Sequence, residues 1–234
     1  MHPLLPATAE LVTGFPSLAP TSPVVPSRSD AVAEALYTTG WCVLEDFLPA
    51  DLTAALRVRA AVLESMGSPV QAGIGREEEH HLNQSIRETS IYWLNGADPA
   101  ESAYLSIMEE LRGALNRRLF LGLFEFESHF SFYEAGGFYA RHLDALKGTR
   151  NRMVSIVSYL NPNWSERDGG ELIIWDAGED GREVAQILPK AGTVAVFLSE
   201  EIPHAVAPTH RPRLAIPGWF RINGSTADRI DPPR

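Results

Sequence analysis

The stretch TVAVFLSEEIPHAVAPTHRPRLAIPGWFRI, Thr193 to Ile222, decides the fold class. It holds three short runs, Thr193–Leu198, Ala205–Pro208 and Arg213–Ile222, parted by Pro, Ser and charged residues. Apolar runs of this length, bounded by such breakers, read as strands. In the last run Arg213, Ala215, Pro217 and Trp219 alternate with Leu214, Ile216 and Gly218, the period of a strand with two unlike faces. The same texture extends back to Glu125. It gives further strands at Phe126–Tyr133, Tyr139–Leu143, Met153–Leu160, Leu172–Trp175 and Glu183–Leu188. So many short strands with turn residues between them point to a β-sandwich or jelly roll.

Upstream the periodicity becomes helical. Ser29 or Asp30 can cap a helix running to about Tyr37, and Gly40–Leu44 reads as a strand. Leu52, Ala55, Leu56, Ala60 and Leu63 fall at helical spacing, with Gly67 as the stop. Strand-like residues surround Ile91, and Asp98-Pro99 opens another helix reaching about Leu119. The expected organisation is a Pro-rich arm over 1–28, one domain over 29–223 and a polar tail over 224–234. Within the domain, 29–120 is the helical part and 125–223 the double-sheet core. The helices need a sheet to bury their apolar faces, so both parts belong to one unit. The arm lacks the charged and apolar regions of a secretory signal.

Acidic residues outnumber basic ones 30 to 20, a net charge of −10, which leaves no global field to draw nucleic acid or an anionic membrane. The single cysteine, Cys42, excludes an intrachain disulfide and a thiolate zinc site and fits a reducing compartment, here read as the cytoplasm. Any metal must therefore be held by imidazole and carboxylate.

His142 and Asp144 stand two apart at a strand end, where both side chains can reach one ion. Alone, this pair reads more readily as a surface His beside a turn Asp. His204 supplies a second imidazole, and two His with one carboxylate make the facial triad that suits non-haem Fe(II), though zinc accepts the same ligands. Arg213, if its strand is unbulged, is directed inward, where a cation needs a carboxylate partner. Tyr159 and Tyr133 are polar handles whose hydroxyls need partners once buried.

The segments FYEAGGFYARHLD, NRMVSIVSYLNPNW, DGGELIIW, IPHAVAP and RLAIPGWF together resemble the Fe(II)/2-oxoglutarate-dependent oxygenases of prolyl 4-hydroxylase type, most nearly the oxygen-sensing bacterial and animal members. The resemblance covers about Gly40 to Ile222. IRETSIYWL departs from that group, with Thr89 where an Asp is usual, and the acidic 67–85 loop carrying His80-His81 matches poorly.

The resemblance implies a double-stranded β-helix (jelly roll) with the N-terminal helices packed on one sheet. It implies that His142, Asp144 and His204 hold Fe(II) and are the catalytic centre. Arg213 and Tyr159 would take the far carboxylate of 2-oxoglutarate, with Tyr133 nearby. Tyr139, Arg152 and Trp219 would line the substrate entrance, and Gly169-Gly170 would form a turn at the rim. The implied reaction hydroxylates a prolyl residue of a protein while 2-oxoglutarate and O2 give succinate and CO2, with ascorbate a candidate reductant and a translation factor a candidate substrate. Alternatives are the same chemistry on a free amino acid or small metabolite, a non-catalytic jelly-roll metal module, and a cupin-like isomerase. The last leaves Arg213 unexplained.

Overall fold

The computed structural model describes residues 27–67, 70–71, 90–145, 151–178 and 181–224. Most of the arm, the His80-His81 pair, Thr89 and nearly all of the tail lie outside them.

Helix α1 spans Arg28–Thr38. Its cap is Ser27 rather than Ser29 or Asp30. The Ser27 hydroxyl accepts from the Asp30 amide, and the Asp30 carboxylate accepts in return from the Ser27 amide. Asp30 is thus the far corner of a capping box, which moves the start earlier. Strand β1 is Trp41–Leu44. Helix α2, Ala50–Met66, ends as expected at Gly67, whose φ of 69° is the left-handed turn that glycine adopts without strain. Strands β2 (Val70–Gln71) and β3 (Ser90–Trp93) precede helix α3, Pro99–Leu119, whose Asp98 side chain accepts from the Ala100 amide.

The remaining strands are β4 (Leu123–Tyr133), β5 (Tyr139–His142), β6 (Arg152–Tyr159), β7 (Leu172–Trp175), β8 (Glu183–Ile187), β9 (Val194–Leu198), β10 (His204–Val206) and β11 (Arg213–Ile222). They form two antiparallel sheets, β1-β9-β6-β11-β4-β3-β2 and β5-β10-β7-β8, the double-sheet core read from the sequence. Strand β4 begins at Leu123, earlier than its apolar run suggests. Asn116 fixes that start, its side chain bridging the Leu123 amide and carbonyl.

The helices cover one face of the large sheet. Leu56, Tyr104, Met108, Leu111 and Leu115 pack with Phe130, Ile156, Val196, Ile216 and Phe220. The opposite face, carrying Tyr159, Ala195, Phe197 and Ala215, meets Leu172 and Ile174 of the small sheet. Alternation along β11 thus sends Ile216 and Phe220 to the helices and Ala215 to the space between the sheets. Arg213 and Trp219 share the parity of Ala215, because β11 pairs without a bulge from Arg213 to Phe220. Glu101, 1% exposed, joins α3 to α2 by accepting from Arg59 at 2.7 Å and from the Asn95 and Gly96 amides.

Candidate metal centre and cosubstrate pocket

His142 closes β5, and Asp144 lies past the strand end in a bend. His204 opens β10 directly opposite His142 across the sheet. Pairing of neighbouring strands therefore sets the two imidazoles side by side, with ring centroids 4.3 Å apart. The bend returns Asp144 between them, Oδ1 lying 3.5 Å from His142 Nε2 and Oδ2 lying 3.6 Å from His204 Nε2. One ligand atom from each residue lies within 4.8 Å of the others.

Both imidazoles are oriented by backbone. His142 Nδ1 sits 2.8 Å from the Ala140 carbonyl and His204 Nδ1 sits 3.1 Å from that of Ile202. A carbonyl only accepts, so each Nδ1 carries a proton, and a ring that is neutral turns the lone pair of Nε2 toward the centre. Tyr139 stacks on His142 at 3.7 Å, and Phe197 lies against His204 at 4.5 Å. Burial is the main cause pushing the His204 imidazole down to about 4, and His142 adds to it against the opposing pull of Asp144 and the Ile202 carbonyl. His204 is therefore neutral at pH 7. Burial would raise the Asp144 carboxyl, but His204 and His142, together with hydrogen bonds from His142 and Ser155, outweigh it and hold the group well below the usual carboxylate range. Two imidazoles and an ionised carboxylate, with Nε2 and carboxylate oxygens converging, are a donor set that fits a divalent first-row metal.

At the other end of the same face Arg213 is 2% exposed and Tyr159 is fully buried. Arg213 Nε donates to the Gly170 carbonyl at 2.9 Å, and its guanidinium lies 5.1 Å from the Tyr133 ring and 5.3 Å from that of Tyr159. Arg213 Nη2 and Tyr159 Oη are buried with no hydrogen-bond partner. Burial raises the Tyr159 phenol, which stays a protonated donor. Two buried orphaned donors, one cationic, carry a standing penalty that a carboxylate would remove. The pocket thus fits the distal end of a dicarboxylate. Gly170 is needed there: its φ is +72° and a Cβ would come within 2.9 Å of Arg213 Cδ.

On the far side of the triad the Arg152 guanidinium lies 3.7 Å over the Trp219 ring and pairs with Glu127 at 2.7 Å. His129, 2% exposed, packs between Trp219 at 5.7 Å and Trp93 at 5.1 Å. The candidate site residues of the sheets thus share one face, with His142, Asp144 and His204 between the Arg213 pocket and the Arg152–Trp219 wall. Glu127, His129 and Ser155 were missed. Strand parity could have found them, since Glu127 and His129 alternate with Tyr133 on β4 and Ser155 with Tyr159 on β6.

The sequence profile of the 2OG-Fe(II) oxygenase superfamily matches residues 128–221. A prolyl-4-hydroxylase from Pseudomonas putida is 42% identical with a TM-score of 0.75, the match covering 84% of this chain and all of that one. The chain belongs to the 2OG-Fe(II) oxygenases of prolyl 4-hydroxylase type. A Trichoplax adhaerens prolyl hydroxylase, solved in complex with a hypoxia inducible factor oxygen degradation domain peptide fragment, is 26% identical over 82% of this oxygenase and 88% of its own length, with a TM-score of 0.74. A viral collagen prolyl hydroxylase from Paramecium Bursaria Chlorella virus-1 shares the fold at 16% identity and a TM-score of 0.57, over 80% of this chain and 98% of that one. The oxygenase is a 2-oxoglutarate-dependent dioxygenase, and Fe(II) and 2-oxoglutarate are its cofactor and cosubstrate. No described helix is long and apolar enough to cross a membrane.

Proposed function

We propose that this oxygenase hydroxylates a prolyl residue within a protein or peptide, with His142, Asp144 and His204 as the iron ligands and Arg213 and Tyr159 as the anchor for 2-oxoglutarate. The observation that carries the reading is the pair of orphaned donors, Arg213 Nη2 and Tyr159 Oη, buried on the same face as the converging triad. Iron with 2-oxoglutarate and O2 supplies the oxidising chemistry, in which one oxygen atom enters succinate, the other becomes the substrate hydroxyl, and CO2 leaves.

The chain's own groups do the rest. Nε2 of His142, Nε2 of His204 and one oxygen of Asp144 would hold the ion with three protein donors, a number that leaves room for a chelating cosubstrate. Arg213 and Tyr159 orient a dicarboxylate from its far end, which fixes the near end toward the triad. Tyr133 closes the pocket beside Arg213. Trp219, buried beneath Arg152, and Tyr139, stacked on His142, are apolar rings suited to the neighbourhood of a prolyl ring. Arg152, held by Glu127 against Trp219, is placed to receive a peptide carbonyl. The likeness to a peptide-bound prolyl hydroxylase supports a peptide occupant. A cytoplasmic protein such as a translation factor, with ascorbate as auxiliary reductant, completes the reading, and the burial that pushes Cys42 up to about 11 keeps its thiol out of metal competition.

Incubation of the iron-loaded protein with 2-oxoglutarate and cell lysate, followed by peptide mass spectrometry, should show one oxygen added to a Pro residue. Turnover of free proline with no modified peptide would overturn the protein-substrate reading. Absence of succinate with every substrate tried would overturn the site.

A further inference from the structure

Ser155 projects from β6 toward the triad, and its Oγ donates to Asp144 Oδ2 at 2.6 Å. Ser199 Oγ stands 2.9 Å behind it. Ser155 is 1% exposed and Ser199 is fully buried. A serine hydroxyl has one proton and an ionised carboxylate has none. Ser155 therefore gives its proton to Asp144, and Ser199 must donate to Ser155. The result is a directed chain, Ser199 to Ser155 to Asp144, closed off from water.

The two oxygens of Asp144 are otherwise equivalent toward the imidazoles, at 3.5 Å from His142 Nε2 for Oδ1 and 3.6 Å from His204 Nε2 for Oδ2. The carboxylate itself does not choose between binding a metal through one oxygen or two. A short charge-assisted hydrogen bond on Oδ2 does choose, because it engages the lone pairs of that oxygen alone. We propose that Ser155, backed by Ser199, is a positioning residue that keeps Asp144 a one-oxygen ligand through Oδ1. A two-oxygen carboxylate would occupy one further metal position, and fewer would remain for a chelating cosubstrate. The inference rests on the proposed assignment of His142, Asp144 and His204 as ligands.

Metal-free wild type and the variants Asp144→Ala, Ser155→Ala, Ser155→Thr and Ser199→Ala can each be titrated with Co(II) alone. Calorimetry reads affinity, and the visible Co(II) spectrum reads coordination. Wild type should bind one ion and Asp144→Ala should lose it; if Asp144→Ala binds like wild type, the ligand assignment itself fails. With that assignment standing, Ser155→Ala should bind Co(II) roughly tenfold more weakly, with a shifted visible band and a smaller spectral response to added 2-oxoglutarate. Ser155→Thr should restore the band, and Ser199→Ala should change it in the same direction by less. An unchanged affinity and spectrum in a folded Ser155→Ala would overturn the role. If Ser155→Ala does not fold, Ser155→Cys, of similar size and a weak donor, is measured in its place with the same two outcomes.

Discussion

Arg213 carries opposite consequences for folding and for binding. Its guanidinium is buried with one nitrogen unpartnered, a cost to the protein before 2-oxoglutarate arrives. Arg213→Met fills the same space without charge. Thermal unfolding without 2-oxoglutarate should then be unchanged or raised, while calorimetric affinity for 2-oxoglutarate falls by roughly ten- to a hundredfold, the loss of one charged hydrogen-bonding partner. Loss of both together would show that Arg213 is a structural residue. His204 gives a prediction with a definite sign. Its folded value of about 4 lies below the ordinary 6.5. Below pH 6.5 the unfolded chain takes up a proton that the folded chain refuses until about pH 4. The metal-free protein should therefore lose stability as pH falls through that window. His204→Gln should show a shallower decline in melting temperature between pH 7 and 5, and equal slopes would remove this linkage.

At the scale of elements, the turn at Gly169-Gly170 and strand β11 act on the site from opposite sides. Gly170→Ala places a methyl against Arg213 Cδ at a φ of +72°. It should cost about 1–3 kcal/mol of stability and also weaken 2-oxoglutarate binding, measurable by denaturant melts and titration. An affinity equal to wild type would mean that Arg213 can relax away. Phe220, two-faced β11's contribution to the helical side, is fully buried. Phe220→Ala should lose about 3–5 kcal/mol in urea unfolding, with 2-oxoglutarate affinity per folded molecule unchanged, since its side chain points away from the site. The period-two alternation of this strand was plain in the sequence, and its bounds, Arg213–Ile222, are those read there. Parity did the work: a strand with two buried faces of different chemistry leaves that signature. Elements whose limits depend on a remote or reciprocal hydrogen bond were less legible. The α1 start depends on Asp30 reaching back to Ser27, and the β4 start on Asn116 gripping Leu123.

For the whole molecule, the candidate ligands were readable because sheet pairing converts fixed residue types at strand ends into one cluster. His142, Asp144, His204, Arg213 and Tyr159 needed only strand parity and family resemblance. The supporting shell did not announce itself, because Ser155, Ser199 and Glu127 are ordinary polar residues until the sheets meet. No local motif encodes a contact between Ser199 at the end of β9 and Ser155 on β6. On the proposed assignment of Arg213, the architecture also accounts for an acidic chain binding a dicarboxylate, because that cation is buried between the sheets, away from the acidic exterior.

The pairing of β5 with β10 has a consequence for motion. These strands are remote in the chain and meet in a short, register-shifted ladder within the smaller sheet. An ion held by His142 and His204 would rivet that ladder at its open end, and would do so only in the closed form. Binding then appears as stabilisation by mass action, confined to the rungs it joins. Amide exchange into heavy water should slow at Val206, Ile174 and their neighbours when Co(II) is added, while exchange in α1 and α3 hardly changes. Uniform slowing across the chain would mean that the ladder does not open separately. The metal would then serve as the last fastener of the smaller sheet, and its loss would loosen the very strands that aim its ligands.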